Sequence, residues 1–215
     1  MAICDPSSSP NRPKIKLSIP PARGPKSFVT RRTGRWLTSE GYRSPMQIVA
    51  NIVVGKDGAT TRDGRSSPLS SGADRERFHL LRKSADCILI GGATSRSEPY
   101  GKTPLPLIVI SHSEEISGSA AENPKATLSR KSLADTLLDL RGRYEKVLIE
   151  AGANLLTEAL RLNLVDDLYL TQTTVSGDGP YFHCDPLEMG LVLISEETSA
   201  DNEELFLHYA RLPVK

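Results

Sequence analysis

The sequence predicts an α/β domain in which a mostly parallel central sheet is covered by helices and ends in an antiparallel hairpin. From residue 46 onward, short apolar runs alternate with helical stretches and are separated by glycines, as is typical of this fold class. Two runs, 87–90 and 147–149, are apolar at every position, which indicates central parallel strands with helices on both faces. The last two strands have no room for a helix between them, so we expect them to form the hairpin.

Seven strands and three helices are expected in this domain. Phe78, Leu81 and Ala85 share one face of the first helix, and Ser132 is the N-cap candidate of the second. The strands are placed at about 46–54, 86–90, 105–111, 146–150, 167–175, 190–195 and 204–212, and the helices at about 74–84, 132–144 and 154–162.

The first 45 residues differ in composition from the rest of the chain. They contain seven prolines, and nine Lys or Arg residues against Asp5 and Glu40, so they carry a net charge of +7 while residues 46–215 carry −6. Such a segment lacks the apolar residues needed for a core, and we interpret 1–45 as a flexible basic arm. An organelle transit peptide and a nucleic-acid-binding arm are the alternatives, although aromatic residues are nearly absent from it.

Composition also argues against several classes of protein. Apolar runs are far shorter than the ~20 residues that cross a bilayer, so we predict no contact with a membrane. Cys4, Cys87 and Cys184 are scattered, which indicates a reducing compartment and a cytoplasmic location. The adjacent pair His183 and Cys184 is interpreted as a chance neighbour pair, and no metal site is predicted.

Two glycine turns follow the two apolar runs and are the first candidates for a binding site. Gly91, Gly92 and Thr94 lie in the first turn, and Gly152 and Asn154 in the second. A glycine turn from a parallel strand into a helix exposes backbone N–H groups to a phosphate, and turns on adjacent strands line one crevice. The sequence therefore predicts a dinucleotide site, with a plain strand-to-helix connection as the alternative for each turn.

Several common fingerprints do not occur in the sequence. There is no G-x-G-x-x-G, no P-loop, no G-x-S-x-G and no zinc-deaminase signature, which disfavours an ordinary Rossmann enzyme, a phosphotransferase, a serine hydrolase and a deaminase. Asp57 closes the first predicted strand and is a candidate carboxylate for the site. However, the dipeptide Asp57-Gly58 is also typical of a β-hairpin turn, which is the alternative interpretation.

A further set of segments is informative when taken in order: 51–59, 69–71, 78–82, 85–94, 98–100, 147–156, 160–168 and 177–180. Together they resemble the reductase domain of the bacterial riboflavin biosynthesis deaminase/reductase family, and the similarity covers roughly residues 46 to 212. The resemblance implies a dihydrofolate-reductase-like three-layer fold, a homodimer, and NADPH-dependent reduction of a ribosylaminopyrimidine phosphate to its ribitylamino product.

The resemblance also implies roles for individual residues. Asp57 is the expected catalytic carboxylate and proton relay, and Glu150 is expected to support it beside the nicotinamide. For the substrate it implies Asn51, Ser70 and Arg82. For the cofactor it implies Gly91, Gly92, Thr94, Gly152 and Asn154, with Arg96, Ser111 and Ser113 as candidates for the adenosine 2′-phosphate.

The chain departs from the family pattern at three places. Ala151 stands where the family usually has glycine, so its methyl group is expected to crowd the cofactor. Segment 95–102 replaces the usual aspartate, proline and arginine run. Only about 20 residues separate Ser111 from Ser132, where many relatives have an extra strand and helix. These departures leave open a reductase of the same fold acting on another heterocycle, such as a dihydropterin, and a non-catalytic NADPH-binding protein.

Overall fold

The computed structural model describes residues 46–201 and 203–212; the predicted arm, 1–45, lies outside the described residues. The strands are β1 (Gln47–Val54), β2 (Cys87–Gly91), β3 (Leu107–Ile110), β4 (Ala126–Ser129), β5 (Lys146–Ile149), β6 (Asp167–Thr173), β7 (Val192–Thr198) and β8 (Glu204–Ala210). The helices are α1 (Gly72–Lys83), α2 (Gly92–Ser97), α3 (Leu133–Leu140) and α4 (Ala153–Arg161), and a short 3-10 helix spans Ser119–Glu122.

The described strands form one mixed sheet in the order β4-β3-β2-β5-β1-β6-β8-β7. All pairings from β4 to β6 are parallel, and β8 pairs antiparallel with both β6 and β7. The predicted parallel sheet and its C-terminal hairpin are therefore confirmed. The two apolar runs became β2 and β5, neighbours in the middle of the sheet.

Successive residues of a strand point to opposite faces of a sheet, and both faces are covered by helices. Ala50, Leu89 and Ile149 point to one face, where they belong to the same core cluster as buried residues of α3 and α4. On the other face, Val49 and Leu148 pack with Leu81 of α1 and with Ala85. The structure is the expected three-layer arrangement. Residues 87–90 and 147–149 are apolar at every position because both faces of their strands are buried.

Helix ends follow local signals in the sequence. The side chain of Ser132 accepts a hydrogen bond from the backbone N–H of Asp135, as its prediction as an N-cap requires. Ser71 caps α1 in the same way, and its backbone N–H donates to the buried carboxylate of Glu204 on β8. Because Glu204 also accepts a hydrogen bond from the Ser71 hydroxyl, the first turn of α1 is tied to the C-terminal hairpin.

The structure adds elements that the sequence did not predict and excludes one alternative interpretation. Between Ser111 and Ser132 the chain does form the 3-10 helix and β4, which pairs with β3. Helix α2, which starts at Gly92, was also missed, since six residues are too few for a periodic apolar pattern. Finally, Asp57 and Gly58 do lie in a tight turn, in which the Gly58 N–H donates to the Gly55 carbonyl over 2.9 Å. This turn does not join two strands of a hairpin, because β1 pairs in parallel with β5 and β6. Within the described residues, no helix is long and apolar enough to cross a membrane.

Candidate active site

A cavity of about 1160 Å³ opens on the α1 face of the sheet, beyond the carboxyl ends of β1, β2 and β5. Open α/β sheets place their ligands at this edge. The volume exceeds the roughly 300–1,000 Å³ that holds one small ligand, so the cavity has room for two ligands side by side. Its lining residues belong to 51–53, 60–61, 64–67, 70, α1, α2, 98–100, 150–152 and 178–181.

The structure brings the two glycine turns together. Leu89 of β2 pairs with Ile149 of β5, so both turns leave the sheet at the same edge. The backbone N–H of Gly152 donates to Thr94 Oγ1 over 3.2 Å. The Thr94 hydroxyl hydrogen remains available for a ligand, because that bond uses Thr94 only as an acceptor. Gly152 begins α4 without a side-chain cap, which leaves the exposed first turn at Asn154 open to an anion.

The remaining cofactor candidates gather beside the first turn. A Cβ atom on Gly92 would lie 2.8 Å from Ser111 Oγ and 3.5 Å from Arg96 Nη1, so a side chain at this position would force Ser111 to move. The backbone N–H of Ser113 donates to Ser111 Oγ over 3.2 Å. Gly91 is the residue that caps α2. The Arg96 guanidinium and the Ser111 hydroxyl therefore lie beside the start of α2, and of the three candidates only Arg96 lines the cavity.

The strongest polar contact of the cavity wall joins Glu150 to Arg82. Arg82 Nε donates to Glu150 Oε1 over 2.8 Å and Arg82 Nη2 donates to Oε2 over 2.7 Å. The side chain of Glu150 is 3% exposed and that of Arg82 is 21% exposed, so water screens this pair little. Phe78 lies under the guanidinium, with its ring centre 4.1 Å from Arg82 Cζ, which adds a cation–π contact.

Tyr100 completes this cluster and was missed as a site residue. Its hydroxyl donates to Glu150 Oε2 over 2.8 Å. A carboxylate has about four acceptor positions, and Arg82 and Tyr100 occupy three of them, so one position on Oε1 remains for a ligand. Burial, followed by the nearby Glu150 charge, raises the pKa of Tyr100 well above its usual value. Tyr100 is therefore a hydrogen-bond donor at any working pH.

The predicted substrate residues Asn51 and Ser70 also line the cavity. Asn51 Oδ1 is buried and has no hydrogen-bond partner among the described residues. Since a buried acceptor without a partner is costly, a ligand N–H group is a suitable partner for it. Ser70 differs, because its hydroxyl donates to Asp74 Oδ2 over 2.5 Å and already has a role within the protein.

The structure does not bring Asp57 to the cavity. Its exposed carboxylate accepts hydrogen bonds from the backbone N–H groups of Ala59 and Gly177, at 3.2 Å each from the nearer oxygen. Desolvation raises the pKa of Asp57, but these N–H donors outweigh it and the pKa lies below its usual value. Such a group holds a turn and a loop together and is poorly suited to carry a proton.

Ala151 is buried and belongs to the core cluster that packs against α3 and α4. It also borders the cavity. Ala151 therefore has apolar neighbours inside the protein and also contributes to the cavity wall.

In the described cavity wall, the acidic side chains have hydrogen-bond partners, whereas most of the arginines have no ion-pair partner. All four carboxylates accept hydrogen bonds from the chain: Asp74, Glu98, Glu150 and Asp178. Of the four arginines, only Arg82 has an ion-pair partner among residues 46–201 and 203–212. Arg65, Arg75 and Arg96 therefore leave uncompensated positive charge, which favours an anionic ligand. In the same residues, no group of His, Cys, Asp and Glu side chains is arranged to hold a metal ion.

Sequence reasoning missed some of these residues for different reasons. Arg75 and His79 were missed, although they precede the predicted Arg82 on α1 by seven and three residues, a spacing that places all three on one helical face. Tyr100 and Asp178 lie in loops without regular structure, and no spacing relates them to Glu150.

Known proteins share this architecture. The family model of the RibD C-terminal domain matches residues 46–176. None of the curated proteins matches the chain at a significant level.

Among solved structures, a pyrimidine reductase-like protein of Corynebacterium diphtheriae is 20% identical over 79% of this chain and 93% of its own, with a TM-score of 0.59. The diaminohydroxyphosphoribosylaminopyrimidine deaminase/5-amino-6-(5-phosphoribosylamino)uracil reductase of Thermotoga maritima is 17% identical over 78% of this chain and 57% of its own, with a TM-score of 0.59. Dihydrofolate reductase of Enterococcus faecalis, in complex with NADP(H), is 17% identical over 78% of this chain and 99% of its own, with a TM-score of 0.58. These likenesses confirm the dihydrofolate-reductase-like fold.

Proposed function

Because the chain belongs to the RibD C-terminal domain family, we propose that it is an NADPH-dependent reductase of a ribosylaminopyrimidine phosphate in riboflavin biosynthesis. The observation that carries this proposal is the large cavity, which is lined both by residues of the two glycine turns and by the Arg82–Glu150 pair. A reduction needs the cofactor and the substrate in contact at the same time, and a cavity with room for two ligands meets that need.

We assign the cofactor to the side of the cavity formed by the glycine turns. Thr94 and Gly152 face the cavity there, and the uncapped start of α4 offers backbone N–H groups to the pyrophosphate. Arg96 supplies positive charge for a 2′-phosphate, which is the reason for proposing NADPH over NADH, with Ser111 and Ser113 as further donors. When bound, the nicotinamide supplies the hydride that reduces the substrate.

We assign the substrate to the wall formed by β1, α1 and Glu150. Opening of the ribose ring gives an imine at its first carbon, and a nearby carboxylate stabilises the positive charge of its protonated form. Glu150 has a free acceptor position on Oε1 for this purpose. Arg82 holds the carboxylate in place, and Asn51 Oδ1 accepts an N–H of the base.

Asp57 has a different role in this proposal from the one that the resemblance implied. Its carboxylate binds backbone N–H groups outside the cavity wall, so we propose that it shapes the turn after β1. Assembly as a homodimer and a location in the cytoplasm remain predictions that follow from the resemblance.

The test is turnover by the purified full chain. We expect oxidation of NADPH when 5-amino-6-(5-phosphoribosylamino)uracil is added, with a product that is heavier by two hydrogen atoms. Dihydropterin and dihydrofolate serve as competing substrates. No oxidation with the pyrimidine would refute the proposal. Faster oxidation with a pterin would assign the protein to another heterocycle, and NADPH binding without any turnover would indicate a non-catalytic protein.

Glu150→Gln tests the site itself. We expect its kcat/KM to fall by at least about 100-fold, since removal of one group that stabilises developing charge has effects of this size. Asp139→Asn, which alters the exposed ion pair to Lys131 on the opposite face, is the matched control and should keep full activity.

A further inference from the structure

Tyr100 reaches Glu150 from a loop that another part of the chain holds in place. Residues 98–103 belong to the loop between α2 and β3, where Tyr100 is 5% exposed and also lines the cavity. Tyr100 belongs to the same core cluster as Ala120, which lies in the short 3-10 helix after β3. The loop therefore packs with a segment that does not itself line the cavity.

The Ser119 hydroxyl, at the start of this 3-10 helix, binds the backbone on both sides of Pro99. It accepts a hydrogen bond from the Tyr100 N–H over 2.8 Å and donates to the Glu98 carbonyl oxygen over 2.7 Å. The Tyr100 N–H also lies 3.1 Å from that carbonyl oxygen. Since Pro99 has no N–H of its own, one hydroxyl fixes the peptide groups that flank it, and with them the backbone of Tyr100.

Asn123 binds the same loop from its other side. The side-chain amide of Asn123 is buried, and Nδ2 donates to the carbonyl oxygens of Tyr100 over 3.0 Å and Thr103 over 3.2 Å. Its Oδ1 accepts the Lys125 N–H over 2.9 Å, which is consistent with Nδ2 facing the loop. Ser119 and Asn123 thus bind the N–H and the carbonyl group of one residue, Tyr100, and we refer to the two side chains as the Tyr100 clamp.

The position of the Tyr100 hydroxyl decides which oxygen of Glu150 is open to a ligand. Oε2 accepts from Arg82 Nη2 over 2.7 Å and from the Tyr100 hydroxyl over 2.8 Å, whereas Oε1 accepts only from Arg82 Nε over 2.8 Å. Each carboxylate oxygen has about two acceptor positions. Without the Tyr100 hydroxyl, both oxygens would have one position used by Arg82 and one position open, so a ligand could bind either of them.

We propose that Ser119 and Asn123 are positioning residues, which hold Tyr100 so that its hydroxyl occupies Oε2 of Glu150 and directs the substrate cation to Oε1. The inference deepens the proposed function and rests on it for the reaction. A single open oxygen fixes where the protonated imine lies relative to the nicotinamide, and a displacement of about 1 Å can cost on the order of 100-fold in rate. The clamp acts on geometry, because Glu150 supplies the negative charge with or without it.

Steady-state kinetics of the full chain with NADPH and 5-amino-6-(5-phosphoribosylamino)uracil test the proposal. Tyr100→Phe keeps the aromatic ring and the charge of Glu150 but opens Oε2. We expect its kcat to fall at least about tenfold, while KM for the pyrimidine stays unchanged, because the other contacts of the bound substrate remain.

Variants of the clamp should reproduce this split between kcat and KM. Ser119→Ala releases the backbone of Tyr100 and should lower kcat, whereas Ser119→Thr keeps a hydroxyl group and should restore it. Asn123→Ala should act in the same direction as Ser119→Ala, which carries the test by itself if the Asn123 variant does not fold. Ser129→Ala is the matched control, because Ser129 is also half-buried but does not line the cavity, and its kcat should be unchanged.

A double variant shows whether the clamp acts through the tyrosine hydroxyl. Adding Ser119→Ala to Tyr100→Phe should lower kcat no further, since the hydroxyl that the clamp positions is already absent. Losses that multiply in the double variant would overturn the proposal. An unchanged kcat in Tyr100→Phe, or a loss in Ser129→Ala equal to that in Ser119→Ala, would also overturn it.

Fluorine NMR separates the clamp from the reaction, because it requires no turnover. In the full chain labelled with 3-fluorotyrosine at its six tyrosines, the Tyr100 resonance is the one that Tyr100→Phe removes. It should shift in Glu150→Gln and in Ser119→Ala and stay in place in Ser129→Ala. These shifts without any NADPH oxidation would refute the reductase and keep the clamp, whereas oxidation with an unmoved resonance in Ser119→Ala would refute the clamp and keep the reductase.

Discussion

Replacing Glu150 with glutamine removes the charge at the centre of the cavity wall while almost preserving the shape of the side chain. Glu150 accepts three hydrogen bonds, two from Arg82 and one from Tyr100. In the variant, one carboxylate oxygen becomes an NH₂ group that faces a donor, and Arg82 loses its ion-pair partner. Loss of one partner of a buried ion pair costs about 3–5 kcal/mol. Because Arg82 is 21% exposed and can turn toward water, we expect the lower end, about 3 kcal/mol.

Urea unfolding measures this change. With about 1–3 kcal/mol per molar for the urea dependence of the unfolding free energy, a loss of about 3 kcal/mol lowers the midpoint by about 1–3 M. Asp139→Asn is the control, because the Lys131–Asp139 pair has a similar distance, 2.6 Å, but side chains that are 58% and 50% exposed. We expect no measurable shift of the midpoint for this control.

Tyr100→Phe isolates the third hydrogen bond, because the ring stays in its apolar surroundings. Its loss should lower the unfolding free energy by about 1.5 kcal/mol, and its effect in the Glu150→Gln background should be much smaller, since the acceptor is already altered. Equal midpoint shifts for Glu150→Gln and Asp139→Asn would refute the reasoning that burial sets the strength of the pair. Full additivity with Tyr100→Phe would show that the hydroxyl does not act through Glu150.

Three further predictions concern the rest of the domain. Gly177→Ala should lower the unfolding free energy by about 1–3 kcal/mol, because the new Cβ would lie 2.2 Å from the Thr61 carbonyl oxygen. Gly72→Ala is the control: its new Cβ would have no atom within 4 Å, so this variant should melt at or above the temperature of the unaltered protein. Burial raises the pKa of Cys87 from 9.0 to about 12. The buried thiol therefore contributes fully to the unfolding free energy below pH 9, and this contribution decreases as pH rises toward 12. In a variant without the other cysteines, Cys87 should not be alkylated in the native state at pH 8, and rapid labelling would contradict this. Asp57→Asn should reduce kcat/KM far less than Glu150→Gln does, and an equal loss in both variants would return Asp57 to the reacting centre.

Much of the architecture was readable from local signals. Unbroken apolar runs identified β2 and β5, glycines marked the turns after them, and Ser132 marked the start of α3. The strand β4 was missed because its sequence, Ala-Thr-Leu-Ser, is short and only partly buried, so neither alternation nor an apolar run reveals it. Its pairing with β3 depends on the rest of the sheet.

The sequence by itself determined seven of the eight described strands, the three longer helices and the turns that can approach a phosphate, because these properties depend on neighbours a few residues apart. Only the tertiary structure decided which carboxylate faces the cavity. Glu150 and Asp57 both follow parallel strands, yet Glu150 meets Arg82, 68 residues away, and Tyr100, 50 residues away. Asp57 instead turns to the backbone of Gly177, 120 residues away. The order of strands in the sheet sets these contacts, and that order follows from the burial of all the strands together.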